Sequence, residues 1–277
     1  MTRELRLRIY SAIVLAAITL GATWFGGVAF QLLAVAASLL IYYEWSTITR
    51  LAERRFRANA YGWFSMVALS LNLLFGQPEL TVPLLAGLVL TATFPALVGK
   101  WSGWQPGGIL YAGLTSISLS EIRSDDSLGL AAMLFVFAVV WSTDILAYFV
   151  GRAIGGPKLA PRISPGKTWS GAIGGTVAGV AGGVGVALAY FQAVDFWVPL
   201  MALLLSIASQ IGDLFESFIK RRFGVKDSSH LIPGHGGVMD RVDGLVFACF
   251  AAFLLAVASA AIAGDASSSM GAFLFGL

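Results

Sequence analysis

The residues able to do polar chemistry are concentrated in one stretch, 210–243, set among mostly apolar neighbours. Between Asp213 and Asp243 stand five carboxylates, Asp213, Glu216, Asp227, Asp240 and Asp243, and five strong bases, Lys220, Arg221, Arg222, Lys226 and Arg241, with His230 and His235 beside them. Equal numbers of each sign point to a site that holds cations and anions together. Asp213, Glu216 and Lys220 are spaced i, i+3, i+7, so a helix projects all three from one face. At about 1.5 Å rise per residue, Asp213 lies about 10 Å deeper than Lys220. A carboxylate at that depth behind a basic rim suits a hard cation bridging to a polyphosphate. Past this helix, His235, Gly236 and Gly237 form a loop with few bulky side chains, open to close approach of backbone and ligand. Asp240 and Asp243 then follow at i, i+3 at the start of the last helix. Two acidic pairs converging from consecutive helices would make an oxygen-rich site fit for Mg2+, which takes one or two carboxylates plus substrate phosphates. Zinc is the competing metal through His230 and His235, but no nearby cysteine and no HExxH helix support it.

Two further segments carry polar residues. Asp144, Tyr148 and Arg152 are spaced i, i+4, i+8 on one helical face. A charge inside an apolar helix costs about 2.5 to 3.5 kcal/mol on insertion scales, so Asp144 calls for a partner, a metal or an aqueous cavity. Pairing with Arg152 is the bland alternative. The following run, 155–171, has three prolines and several glycines that forbid a continuous helix, with Lys158, Arg162 and Lys167 supplying positive charge. Gly166-Lys167-Thr168 invites a P-loop reading, but Pro161 stands where that motif needs glycine, and no preceding strand is expected. What remains is a rigid basic loop suited to phosphate oxygens.

The elements that must position these residues are membrane helices. The chain of 277 residues is 57% hydrophobic and only 12% charged, against about 25% charged in soluble domains, and its mean hydropathy is +0.81. The fold class expected is all-α, a polytopic integral membrane protein. Nine apolar stretches are long enough to span: 9–23, 26–43, 60–75, 82–98, 108–119, 128–150, 170–191, 196–219 and 245–263. With the N-terminus in the cytoplasm, 17 of the 18 Lys and Arg fall on the cytoplasmic side and only Arg123 outside, as the positive-inside rule demands. The loop 44–57, with four arginines and two glutamates, is taken as part of that topology, the alternative being contact with anionic lipid head groups. Residues 1–128 are expected to be a transmembrane scaffold and 129–277 the catalytic region of one continuous membrane domain. Cys249, the one cysteine, excludes an intramolecular disulfide and is expected to be a packing residue. The Gly- and Ala-rich span 170–191 permits close helix packing and leaves a homodimer open.

The stretch resembles the phosphatidate cytidylyltransferases (CDP-diacylglycerol synthases). Their C-terminal signature S-x2-K-R-x4-K-D-x-[GSA]-x2-[LIF]-P-x-H-G-G-x2-D-R-x-D is met without a gap by Ser217, Lys220, Arg221, Lys226, Asp227, Ser229, Ile232, Pro233, His235, Gly236, Gly237, Asp240, Arg241 and Asp243. The likeness continues upstream through 144–152, 163–171 and 210–213. It implies transfer of the cytidylyl group of CTP to phosphatidic acid at the cytoplasmic face of the inner membrane, with no nucleic acid partner. It also implies a two-cation centre involving Mg2+, whose ligands correspond to Asp213 and Asp240. Asp144, Asp243, Lys220 and Arg221 would complete the catalytic set, and Lys167, Ser217, Lys226, Asp227, His235, Gly236, Gly237 and Arg241 would bind the nucleotide. A CTP-dependent polyprenol or phytol kinase and, more remotely, a secondary transporter are the rival readings.

Overall fold

A lipid surround offers no hydrogen bonds to the backbone, so apolar stretches must satisfy their own as helices. The computed structural model describes residues 3–124, 127–263 and 269–277. Among the described residues nine helices have 19 residues or more: α1 Arg3–Phe25, α2 Gly27–Ile48, α4 Phe56–Phe75, α5 Pro78–Leu97, α6 Trp104–Ile122, α7 Gly129–Ile154, α8 Trp169–Tyr190, α9 Trp197–Arg222 and α10 Met239–Ala263. Each expected span falls on one of them. Seven, all but α4 and α6, are long and apolar enough to cross a membrane by length and composition. The polytopic all-α membrane fold is therefore as expected. α3 Leu51–Arg54 and α11 Met270–Phe275 are short.

Two local expectations are corrected. The basic run 155–171 is not an irregular loop but holds a small antiparallel hairpin, β1 Lys158–Ala160 with β2 Ser164–Thr168. Gly166, Lys167 and Thr168 lie within β2 itself, so the P-loop arrangement, in which those residues follow the strand, stays excluded. Glu44 does not begin a loop either. It lies in the last turns of α2 and is fully buried, at 0% exposure.

Two compact units arise, and neither is continuous in sequence. The first joins Met1–Ser120 to Arg222–Arg241, and the second joins Glu121–Arg221 to Val242–Leu277. In the first unit α2 packs beside α6 through polar as well as apolar contacts. Ser38 Oγ donates to the Ala112 carbonyl at 2.7 Å, and Trp45 Nε1 donates to the Trp104 carbonyl at 2.9 Å. A side chain at Gly108 would meet Trp45 Cδ1 at 2.5 Å, so the glycine is what lets the indole lie flat on α6. Trp104 in turn meets Phe223 edge-on, with ring centroids 5.2 Å apart, which fixes the start of the signature loop.

In the second unit α7 and α8 run in unusually close contact. Gly171, Gly175, Gly179 and Gly183 recur every four residues, are buried, and so line one face of α8. A Cβ at Gly175 would lie 2.6 Å from the Thr143 carbonyl oxygen, and one at Gly171 would lie 2.6 Å from that of Ala147. The neighbour is therefore backbone, which cannot move aside. Gly212 plays the same part between α9 and α10, where a Cβ would meet the Asp243 carbonyl at 2.5 Å. Thr143 and Ser206 share a hydroxyl hydrogen bond of 2.8 Å from α7 to α9, and Gln210 Nε2 donates to Thr176 Oγ1 on α8 at 2.9 Å. Cys249 is buried, as a packing residue should be. Replacing Gly175 by valine should overpack this seam at a cost of about 1–3 kcal/mol, seen as a lower melting temperature of the purified protein in detergent. An unchanged melting temperature would contradict the close packing.

Candidate active site

The second unit gathers four of the chemically capable side chains from four elements. Lys167 leaves the end of β2, where Thr168 caps α8 by accepting the Gly171 N–H at 3.1 Å. Its Nζ is ion-paired with Asp213 Oδ2 on α9. Ser217, one turn further on, directs its hydroxyl at Asp213 Oδ1 at 3.4 Å. Asp243, brought beside α9 by the contact at Gly212, and Asp144 on α7 lie close enough to interact electrostatically with Asp213, with each other and with Lys167. Three carboxylates thus face one lysine, an excess of negative charge among apolar helices. Asp144 does not use Arg152 as its hydrogen-bond partner; Arg152 Nη1 instead donates to Tyr148 Oη at 2.9 Å.

Lys220 is held one turn beyond this cluster by Glu216, at 2.8 Å. Glu216 is 1% exposed, so the lysine's counter-charge is fixed inside the helix packing while its neighbour Arg221 is exposed. Lys167 with Asp213 and Lys220 with Glu216 are ion pairs formed between described residues. No group of three or more His, Cys, Asp or Glu among the described residues is closed around a common point. The donor set still suits a hard cation, because Mg2+ requires only one or two carboxylates and completes its shell with water and substrate phosphates. The His230 and His235 pair likewise forms no zinc-type cluster among the described residues.

The rest of the signature belongs to the first unit, so Asp240 and Asp213 fall in different units. Here two carboxylates close the loop. Asp240 Oδ2 accepts three bonds of 2.8 Å, from Ser228 N, Ser228 Oγ and Gly237 N. Glu44, far away in sequence, accepts from Ser229 Oγ at 2.6 Å and Val238 N at 2.7 Å on Oε1 and from Met239 N at 2.6 Å on Oε2, where at 3.0 Å it also shares the single Ser228 hydroxyl proton with Asp240. The glycines serve these contacts. Gly236 has φ +83°, a conformation open to glycine, and a Cβ there would lie 2.8 Å from Asp240 Oδ2. At Gly237 a Cβ would run into Ser228 Oγ and Glu44. The close approach these glycines permit is to the protein's own carboxylates.

On the other side of the loop Ser11 Oγ donates to the Pro233 carbonyl at 3.1 Å and lies 2.8 Å from His235 Nδ1, while Arg241 Nε donates to the His235 carbonyl at 3.0 Å. Lys226, Asp227 and Arg241 are exposed. Glu44 and Ser228 were not among the residues expected from sequence. Glu44 did leave a signal: it is an acid in an apolar helix with no base three or four positions away, where Leu40, Ile41, Thr47 and Ile48 stand.

A polytopic helical membrane protein with an acidic, lysine-bearing centre and a glycine loop closed by two carboxylates is the class that fold and site define. The chain belongs to the cytidylyltransferase family, whose profile matches residues 6–259. It is 49% identical over 254 residues to a phosphatidate cytidylyltransferase of Brucella abortus, covering 91% of this chain and 93% of that protein. A phosphatidate cytidylyltransferase of Pseudomonas aeruginosa is 38% identical over 267 residues, covering 91% and 97%. One from Bacillus subtilis is 39% identical over 199 residues, covering 66% and 71%.

Partial burial first, and then the nearby charges of Arg241 and Arg8, hold the His235 imidazole below its usual pKa, against an opposing hydrogen bond with the Pro233 backbone. The unfolded chain therefore takes up this proton first, and stability should fall as pH drops through about 6.5. In a His230→Gln background, NMR of the remaining histidine should show a midpoint below that value. A midpoint above it would contradict the loop environment described.

Proposed function

We propose that the chain transfers the cytidylyl group of CTP to phosphatidate, forming CDP-diacylglycerol and pyrophosphate. The observation that carries this reading is that the family match, 6–259, contains both the acidic centre with Lys167 and the whole closed loop. In the reaction a phosphate oxygen of phosphatidate attacks the α-phosphorus of CTP in line. A new P–O bond forms as the bond from the α-phosphorus to the bridging oxygen breaks, and pyrophosphate leaves with that electron pair. The nucleophile is already an anion, so no strong base is needed; repulsion and alignment are the main barriers.

The residues divide these tasks. Lys167, paired with Asp213 in the resting site, is the base that an incoming phosphate oxygen would draw upon. Lys220, oriented by buried Glu216, and exposed Arg221 offset the remaining phosphate charge, and the family resemblance assigns Lys226 and Arg241 of the first unit to the nucleotide. Asp213 is the carboxylate proposed to hold Mg2+, with Asp144 and Asp243 completing its electrostatic surroundings. Mg2+ bound there would withdraw charge from the α-phosphate and favour departure of pyrophosphate. A second cation, and the assignment of Asp240 as a ligand beside its role in the loop, come from the family resemblance. Placement in the inner membrane comes from the family resemblance, and the distribution of Lys and Arg supports a site turned toward the cytoplasm. The buried glycines of α8 are engaged by α7, so no homodimer is proposed on them.

Two measurements test this. CTP labelled at the α- or the γ-phosphate is given to the purified protein with phosphatidate and Mg2+ present or omitted. The α-label should enter lipid and the γ-label pyrophosphate, only when both additions are present; γ-label in lipid would instead indicate a kinase. Asp213→Asn should lower kcat by at least about 100-fold with melting temperature and membrane insertion unchanged. A wild-type rate at saturating Mg2+ would overturn the role given to Asp213.

A further inference from the structure

Glu44 is a buried carboxylate whose charge is met by dipoles alone. It forms no ion pair among the described residues. Its donors come from both ends of one segment: the hydroxyls of Ser228 and Ser229 where the loop begins, and the consecutive backbone N–H groups of Val238 and Met239 where α10 begins. The first N–H groups of a helix have no partner within it, and they favour a negative group there. That group is usually local, yet here it arrives from α2, 195 positions away from Met239. With Asp240 Oδ2 on Gly237 N, three successive N–H groups are occupied by the protein's own carboxylates. They are thereby withdrawn from any phosphate, and substrate charge is left to the exposed bases flanking the loop.

We infer that Glu44 is a positioning residue of the transferase: by joining 228–229 to 238–239 it fixes the loop conformation from which Lys226 and Arg241 meet the substrate. This rests on the proposed function and adds a residue from the N-terminal part of the chain. The requirement is for charge and two acceptor oxygens. Glutamine keeps the size but turns an amide donor toward donors. Aspartate keeps the charge on a shorter reach. Positioning therefore predicts that Glu44→Asp retains more activity than Glu44→Gln, whereas a mere space-filling role predicts the reverse.

The test combines kinetics with hydrogen exchange on the full-length protein in detergent. Glu44→Gln should lower kcat/KM for CTP on the order of 100-fold, as expected for a displaced binding group, and should lower the melting temperature, because buried donors lose their ionised acceptor. Amide exchange should rise in 228–239 and stay unchanged in α7 and α8. If Glu44→Gln does not accumulate, the Ser228→Ala/Ser229→Ala double variant, which removes the two hydroxyl donors, should show the same local exchange and a smaller kinetic loss. Wild-type kcat/KM, exchange raised throughout the chain with KM for CTP unchanged, or Glu44→Gln outperforming Glu44→Asp would each overturn the inference. Exchange is read without turnover, so it remains informative even if wild-type protein fails to make a CDP-lipid and the proposed function itself is lost.

Discussion

Asp144, Asp213 and Asp243 face a single lysine in the second unit, and the rest of the site depends on how that imbalance is met. Carboxylates in apolar surroundings are expensive unless cations or donors neutralise them. Lys167 answers part of the charge in the resting protein. The remainder is the physical reason for proposing a divalent cation, which would offset the excess and so let a polyanionic substrate approach. The close helix seams at Gly175 and Gly212 are what make such crowding of acids possible. They bring backbones together, so that side chains from α7, α9 and α10 converge where larger residues would hold the helices apart.

The first unit uses carboxylates in the opposite manner. Glu44 and Asp240 meet N–H and O–H donors, so their charge is spent on backbone conformation. Donors to an ionised acceptor are stronger than neutral hydrogen bonds, about 1.5–3 kcal/mol each, and a loop with glycines at 234, 236 and 237 needs such ties because glycine gives up the most freedom on folding. The same HGG sequence that suggests room for a ligand is, in the folded chain, room for these two acids.

Much of this was legible beforehand. The helices follow from apolar runs, and the shared face of Asp213, Glu216 and Lys220 follows from their spacing. The signature residues, by contrast, were recognisable as a family pattern before their contacts could be known. The role of Glu44 was not legible beyond its being an acid with no local base, because its partners are almost two hundred residues away and local patterns carry no long-range pairing. Placed at the edge of an arginine-rich stretch, it looked like part of a solvated loop. The β1–β2 hairpin was missed for a related reason: proline and glycine marked where a helix must stop, but the pairing of Lys158 with Thr168 is a cross-strand relation. Lys167 was identified as a phosphate-binding base, yet its contact with Asp213 appears only when the strand end and α9 are folded together.

The central claim, that Asp213 is a cation site held in the resting protein by Lys167, is tested most directly by Mn2+ binding followed by electron paramagnetic resonance, without nucleotide. Removing the lysine as Lys167→Met should tighten Mn2+ binding relative to wild type, and removing the carboxylate as Asp213→Asn should weaken it. Unchanged or weaker binding in Lys167→Met, with Asp213→Asn binding like wild type, would show that the acidic centre is not where the cation is held.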